Sequence, residues 1–260
     1  MSDGSEFGRR RWLQRALAAA GTVTLGACDK IAQSERVNST LDWAEGWTHG
    51  VQRLLLGRHA LAPEYSESQL SKTFRANGTT NPDTDEYNRL AQANFADWRL
   101  IVDGLVDKPL QLSLQDLRQM PSRTQITRHD CVEGWSCIGK WTGARLSAVL
   151  QRAGLKSGAR FLAFHCADTL ELSLDGTGQY YETIDLIDAL HPQTILAYDM
   201  NNQPLGIPYG APLRLRLERQ LGYKMAKYVM RIEAIDSFKK MGRGKGGYWE
   251  DRGYQWYAGI

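Results

Sequence analysis

The chain has 260 residues, 42% hydrophobic and 23% charged, with 32 Lys and Arg against 29 Asp and Glu. This is a globular composition. It excludes wholesale disorder, collagen and coiled coil; no apolar run reaches the roughly 18 residues a membrane-spanning helix needs, and a net charge of +3 does not argue for nucleic acid as a partner.

The chain opens on an address. Arg9-Arg10-Arg11-Trp12-Leu13 forms a basic stretch, and Ala16–Ala27 behind it is apolar, rich in small residues and too short to span a membrane. Twin arginines in this setting resemble a Tat signal, the export route for proteins folded around a cofactor. Leu25-Gly26-Ala27-Cys28 resembles a lipobox, and Asp29 resembles an inner-membrane retention signal. The expectation is therefore a periplasmic protein, Tat-exported and anchored through a lipid on Cys28. The plainer alternative is a basic amphipathic helix. Removing residues 1–27 leaves a net charge near +1, so charge says nothing about partners of the mature chain.

Residues 28–38 read as a polar tether, and Ser39 or Thr40 can cap a helix running to about Leu56. Asn77-Gly78-Thr79-Thr80-Asn81-Pro82-Asp83 is dense turn chemistry and predicts an ordered loop over 75–86, with a short helix around Glu86–Ala93 after it. Arg99–Val102, Asp103-Gly104 and Leu105-Val106 predict a tight hairpin. Ser113 caps a helix that Pro121 ends, and Gln125–Thr127 is a short strand. Leu146–Ala153 is a helix closed by Gly154. Strands are expected at Arg160–Phe164, Leu170–Leu174, Thr194–Tyr198, Leu213–Leu217 and Tyr228–Ile235, with a helix from Thr183 through Leu190. In the last strand Tyr228, Met230, Ile232 and Ala234 share a face. Short strands mixed with short helices, without regular βαβ alternation, argue for an α+β fold.

Four cysteines carry the first chemical signal. Cys28 belongs to the address, and no pair among Cys131, Cys137 and Cys166 has the C-x-x-C spacing of a zinc or thioredoxin site. Cys131 and Cys137 could pair across a short loop, or any of the three could be an inert buried thiol. Cys131 stands in Arg128-His129-Asp130-Cys131-Val132-Glu133-Gly134-Trp135, where cationic neighbours favour the thiolate. Two functions fit: a cysteine hydrolase or transferase with His129 or His165 as base, and a metal site with one protein thiolate whose remaining ligands come from a cofactor. The Tat-like address favours the second.

A second signal is basic. Pro208-Tyr209-Gly210-Ala211-Pro212-Leu213-Arg214 leads into a strand and Gly222-Tyr223-Lys224-Met225-Ala226-Lys227 follows it. Glycine lets backbone approach a ligand, and arginine with backbone N–H groups suits a phosphate. Gly242-Arg243-Gly244-Lys245-Gly246-Gly247 lacks the spacing of a P-loop or Rossmann fingerprint and reads as a mobile basic lid.

Together Cys131-Val132-Glu133-Gly134-Trp135-Ser136, Asn77-Gly78, Gly210-Ala211-Pro212-Leu213-Arg214 and Gly222-Tyr223-Lys224 resemble the sulfite-oxidase-like molybdopterin family. The likeness is greatest to its bacterial, haem-free, exported branch, which includes a periplasmic methionine-sulfoxide reductase, and covers roughly two-thirds of the chain, from Asn77 onward; it does not name the substrate. The resemblance implies three segments: 1–27 signal, 28–74 tether and N-terminal helix, 75–260 molybdopterin-binding catalytic domain. It implies Cys131 as the thiolate on molybdenum and Glu133 as a carboxylate close to the metal. Asn77, Tyr209, Arg214, Met225, Ala226, Lys227 and Cys166 align with cofactor-binding positions, Arg214 nearest the pterin phosphate. Tyr209 stands where the branch has Asn and Cys166 where it has Thr. The implied activity is oxygen-atom or two-electron transfer to or from a small-molecule substrate by a monomeric catalytic subunit. No C-x-x-C-H occurs for covalent haem, and the branch's electron partner is a membrane-bound b-type cytochrome. A non-catalytic binding module on the same fold is the remaining alternative.

Overall fold

A computed structural model describes residues 47, 50, 51, 57, 59–171, 173 and 178–260. The chain divides into two units, Met1–Leu55 and Leu56–Ile260. In the first, Trp47, Gly50 and Val51 are helical and exposed; the expected signal, the tether and most of the helix over 39–56 lie outside the described residues.

The second unit is a mixed α+β body with two five-stranded sheets. One has the order β2-β1-β10-β5-β6, from Leu110–Leu112, Leu100–Gly104, Val229–Ile235, Phe161–Thr169 and Gln179–Asp185. The other has β3-β4-β7-β8, from Ser122–Asp130, Ser136–Arg145, Ile195–Met200 and Gln203–Pro204, with β9 (Arg214–Arg216) also on β7. All pairings are antiparallel except β1 with β10. Helix α3 (Leu146–Ala153) carries the chain from β4 in one sheet to β5 in the other. It buries Leu146, Val149, Leu150 and Ala153 and ends at Gly154, whose φ of 71° suits glycine.

Local chemistry sets the helix starts. The Thr84 hydroxyl accepts the Tyr87 N–H at the head of α1 (Asp85–Gln92). Ser113 and Asp116 form a reciprocal capping box on α2 (Leu114–Gln119), which stops before Pro121. Asp185, not Thr183, caps the single-turn α4 (Leu186–Ala189). Thr183 lies inside β6, whose residues Tyr180–Ile184 are all buried.

Three further expectations are corrected. Asp103-Gly104 is not a hairpin turn. It continues β1 alongside Glu233-Ala234 of β10, and a Cβ on Gly104 would meet the Ala234 carbonyl at 2.3 Å; Leu105-Val106 lies in the loop that leads to β2. No strand forms at Leu170, because β5 runs on to Thr169 and ends there. In β10 the face shared by Ile232 and Ala234 is buried as expected, but a register shift between Val229 and Arg231 puts Val229 inward and leaves Met230 partly exposed.

The tail after β10 has little regular structure, yet it is pinned. Asp251 accepts the backbone N–H groups of Arg243 and Lys245 at 2.8 and 3.0 Å and the Tyr181 hydroxyl at 2.7 Å. The glycine-rich segment, read from sequence as a mobile basic lid, thus encloses a carboxylate of its own chain.

Candidate active site

β3 and β4 form a nine-pair hairpin from Ser122↔Ala144 to Asp130↔Ser136, and Cys131 opens the loop at its tip. The Cys131 N–H donates to the Trp135 carbonyl at 2.9 Å and the Gly134 N–H to the Cys131 carbonyl at 3.0 Å. Gly134, at φ 84°, makes this closure without strain. The loop borders a cleft of about 680 Å³. Other walls come from Asn77-Gly78-Thr79, from Asp168 and Leu170 at the end of β5, from Tyr180 of β6, from Gly222, Tyr223, Met225 and Lys227, and from Trp249 and Tyr254 of the tail.

Cys131 is 9% exposed. Burial pushes its thiol up, against the N–H groups of Glu133 and Val132 and the Arg75 charge, which pull it down. The cations expected beside it do not act on it. Arg128 is paired with Asp130 at 2.8 Å. His129 is fully buried and neutral, its pKa driven well below the ordinary value by burial and by Arg216, whose Nη1 lies 3.1 Å from Nδ1. Neither His129, behind Gly222, nor His165, paired with Glu233 at 3.0 Å, borders the cleft as a base would. Glu133 does border it; its exposed carboxylate accepts the Trp135 indole N–H at 2.9 Å and faces Arg75 at 3.8 Å.

Lys227 on the cleft wall and Arg214, which lies behind it and does not border the cleft, form a buried basic pair. Arg214 is fully buried, stacked over Trp141 at 4.9 Å; one nitrogen reaches the Tyr209 carbonyl at 3.0 Å, and Nε and Nη2 have no partner. Burial and the Arg216 charge lower its pKa to about 9. Lys227 donates only to carbonyls, those of Asn77 at 2.6 Å, Pro208 at 3.1 Å and Thr79. Burial and the Arg214 charge bring it down to about 7. A buried lysine depressed by a neighbouring buried arginine that has two unused donors makes a site suited to an anion.

Asn77, Cys131, Glu133, Met225 and Lys227 therefore gather in one cleft. Ala226 is buried behind them, its carbonyl accepting the Leu215 N–H at 2.8 Å. Tyr209 and Cys166 do not border the cleft. Tyr209 donates to the Phe74 carbonyl at 3.1 Å, and Cys166 is 1% exposed inside β5, its thiol pushed well up by burial. Cys131, Cys137 and Cys166 are all free thiols. Sequence reading missed Asp168. It is 4% exposed, its Oδ1 has no partner, and burial raises it to about 6 against Thr79 and Lys227. Its signal was one acid amid the apolar residues of a strand.

Among the described residues no three His, Cys, Asp or Glu side chains are grouped to hold a metal ion. A metal at Cys131 would take its other ligands from a cofactor, and the unused Arg214 donors beside Lys227 fit a cofactor that carries a phosphate.

Comparison with known proteins agrees. The family model described as the oxidoreductase molybdopterin binding domain matches residues 87–241, a span that contains Cys131, Arg214 and Lys227 and leaves out Asn77 and the tail wall. A subunit of Azospira oryzae, YedZ1, provisionally named as a protein-methionine-sulfoxide reductase subunit, is 37% identical over 96% of this chain and 87% of its own. The protein-methionine-sulfoxide reductase catalytic subunit MsrP of Campylobacter jejuni is 31% identical over 65% of this chain and 60% of its own. MsrP of Xanthomonas axonopodis pv. citri is 33% identical over 59% of this chain and 49% of its own.

Proposed function

The chain belongs to the oxidoreductase molybdopterin-binding family, and from that premise we propose that it performs oxygen-atom transfer at a molybdenum held by the Cys131 thiolate. Bound molybdopterin supplies the two-electron redox chemistry. The observation that carries the reading is the make-up of the cleft: a single soft thiol, Cys131, and a buried lysine, Lys227, line it, and behind Lys227 lies the buried Arg214, whose Nε and Nη2 have no partner.

Within it the residues divide the work. Arg214 and Lys227 bind the phosphate, and in doing so satisfy the idle guanidinium nitrogens and relieve the mutual repulsion. Asn77 and Thr79, tied to Lys227 through their carbonyls, close over the cofactor. Asp168 offers its unpartnered oxygen to a hydrogen-bond donor. Glu133, at the solvent side beside Cys131, holds and delivers protons and is not itself a ligand. Val132, Leu170, Tyr223, Trp249 and Tyr254 give the walls an apolar, aromatic character that suits a thioether or sulfoxide better than a polyanion. A sulfoxide is accordingly the substrate class to test first, as the names of the relatives suggest. Its reduction takes two electrons and two protons and releases the thioether and water. The electrons come from a partner, for which a membrane-bound b-type cytochrome is the candidate. Tat export and a lipid on Cys28 would keep this subunit beside such a membrane partner.

The test is elemental and kinetic. Purified protein should carry one molybdenum and one pterin per chain and, with a reduced viologen as donor, turn over sulfoxides in preference to N-oxides; with an oxidised acceptor it should leave sulfite alone. A metal-free protein with thiol-dependent hydrolase activity would overturn the reading.

A further inference from the structure

Lys224, in the turn Gly222–Lys224, is fully buried. Its Nζ donates to Oε1 of Glu182 on β6, to Oε1 of Glu250 in the tail at 2.5 Å and to the Thr183 carbonyl at 3.1 Å, which engages all three of its protons. The three charged side chains are at most 1% exposed, and the second oxygen of each glutamate has no partner. Two acids and one base leave an excess negative charge in a dry site, so burial and the neighbouring Glu250 hold Glu182 toward its protonated form. Such a group is a poor means of gaining stability, because apolar residues of the same volume often do better.

Its placement offers another role. None of the three residues borders the cleft, yet each sits beside residues that do. Tyr180 lies two before Glu182, and therefore on the same face of β6; Tyr223 and Met225 flank Lys224; Trp249 precedes Glu250, and Tyr254 follows it. The approach is close: a Cβ at Gly247 would stand 2.0 Å from Oε2 of Glu250 and displace its carboxylate.

We propose that Lys224 is a positioning residue that clamps the C-terminal tail to β6 and to the Tyr223–Lys227 segment, so that the aromatic wall and the phosphate-binding lysine are held, and released, as one unit. The inference rests on the reading that this cleft holds molybdopterin. It adds that the residence time of the cofactor is set by three buried side chains that never touch it.

Glu250→Gln tests this, since it removes the charge of the tail at nearly constant volume and leaves Lys224 paired with Glu182. In the full-length, cofactor-loaded protein, amides of 247–258 should exchange with solvent about tenfold faster or more, the loss expected for a charge-assisted hydrogen bond. Amides of β5 and β10 should keep their rates, and pterin, followed by its fluorescence in the filtrate, should leave faster by a similar factor. A role in general stability would instead speed exchange throughout both sheets, and that result overturns the proposal. So does a loosened tail with unchanged pterin release, or no change in either. A wild-type protein that carries no pterin overturns the cofactor reading and the coupling with it; exchange in that same protein still decides whether Glu250 holds the tail.

Discussion

Lys227 bears the cost of an empty cleft, and its titration should report whether the cleft is filled. Its pKa is about 7 in the folded chain and close to the ordinary lysine value of about 10.4 when unfolded. The unfolded chain thus holds the proton more tightly, so the penalty is full below pH 7 and fades as pH rises toward 10. Cofactor-free protein should gain up to a few kcal/mol of stability across that window. Lys227→Met should flatten the slope, and so should loading wild type with cofactor, because an anion then faces the ammonium. Urea midpoints between pH 7 and 10 measure this, and equal slopes in wild type and variant would show that Lys227 keeps its ordinary charge. Cys131→Ser addresses the other end of the cleft. Arg214 and Lys227 are untouched in that variant, so pterin should be retained while turnover is lost and the thiolate sulfur signal disappears from the molybdenum-edge absorption spectrum. If that signal survives in Cys131→Ser and vanishes in Cys166→Ser, the ligand is Cys166. The sequence made Cys131 conspicuous through its neighbours, but for a partly mistaken reason: Arg128 is spent on Asp130 and His129 is neutral, and the opposing pull on the thiol comes from backbone N–H groups and Arg75.

Elements whose signals are local were legible in the sequence: α2 and α3 announce themselves through Ser113 and Gly154, and α1 by following a loop dense in turn residues. Elements that exist through distant pairing were not. β4 contains Gly139 and Gly143 and has the composition of a loop, yet Gly143 is needed where β4 crosses β7, because a Cβ there would meet the Leu196 carbonyl at 2.2 Å. Asp103-Gly104 looks like a turn because its parallel partner lies some 130 residues away. The turn Gly222–Lys224 shows the same dependence on remote packing. Nothing in the Gly222 backbone requires glycine, but a Cβ would stand 2.4 Å from Cε1 and Nε2 of His129, and that ring is held by Arg216. Gly222→Ala should therefore destabilise the protein by about 1–3 kcal/mol, the usual cost of overpacking. It should also disturb Met225 and Lys227 just downstream, lowering cofactor content. A thermal midpoint within a degree of wild type would show that the ring can move aside.

On the scale of the whole molecule, the way the cleft is closed bears on the proposed export. Its walls come from residues as far apart in the chain as Asn77 and Tyr254, so the cleft exists only once the entire second unit has folded. The tail is among its last-made walls, tied down through Glu250 to Lys224, Asp251 to the glycine-rich loop, and the Tyr223 hydroxyl to the Gln255 carbonyl at 2.6 Å. A chain threaded unfolded across a membrane would arrive without a cleft and would have to find its cofactor on the far side. A chain folded first can close over the cofactor where the cofactor is made and carry it across. The Tat export proposed for this chain would have this physical sense, and Arg9 and Arg10 are the pair that tests it. With both replaced by Lys the charge is unchanged, and a route that reads only a basic stretch and an apolar one would still accept the precursor. The expected outcome is that the double variant accumulates in the cytoplasm, folded, uncleaved and loaded with one molybdenum and one pterin per chain, and that the periplasmic fraction loses its sulfoxide-dependent viologen oxidation. Fractionation with metal analysis of both compartments reads the result. Mature, active protein in the periplasm of the double-lysine strain would mean that export does not depend on the twin-arginine route.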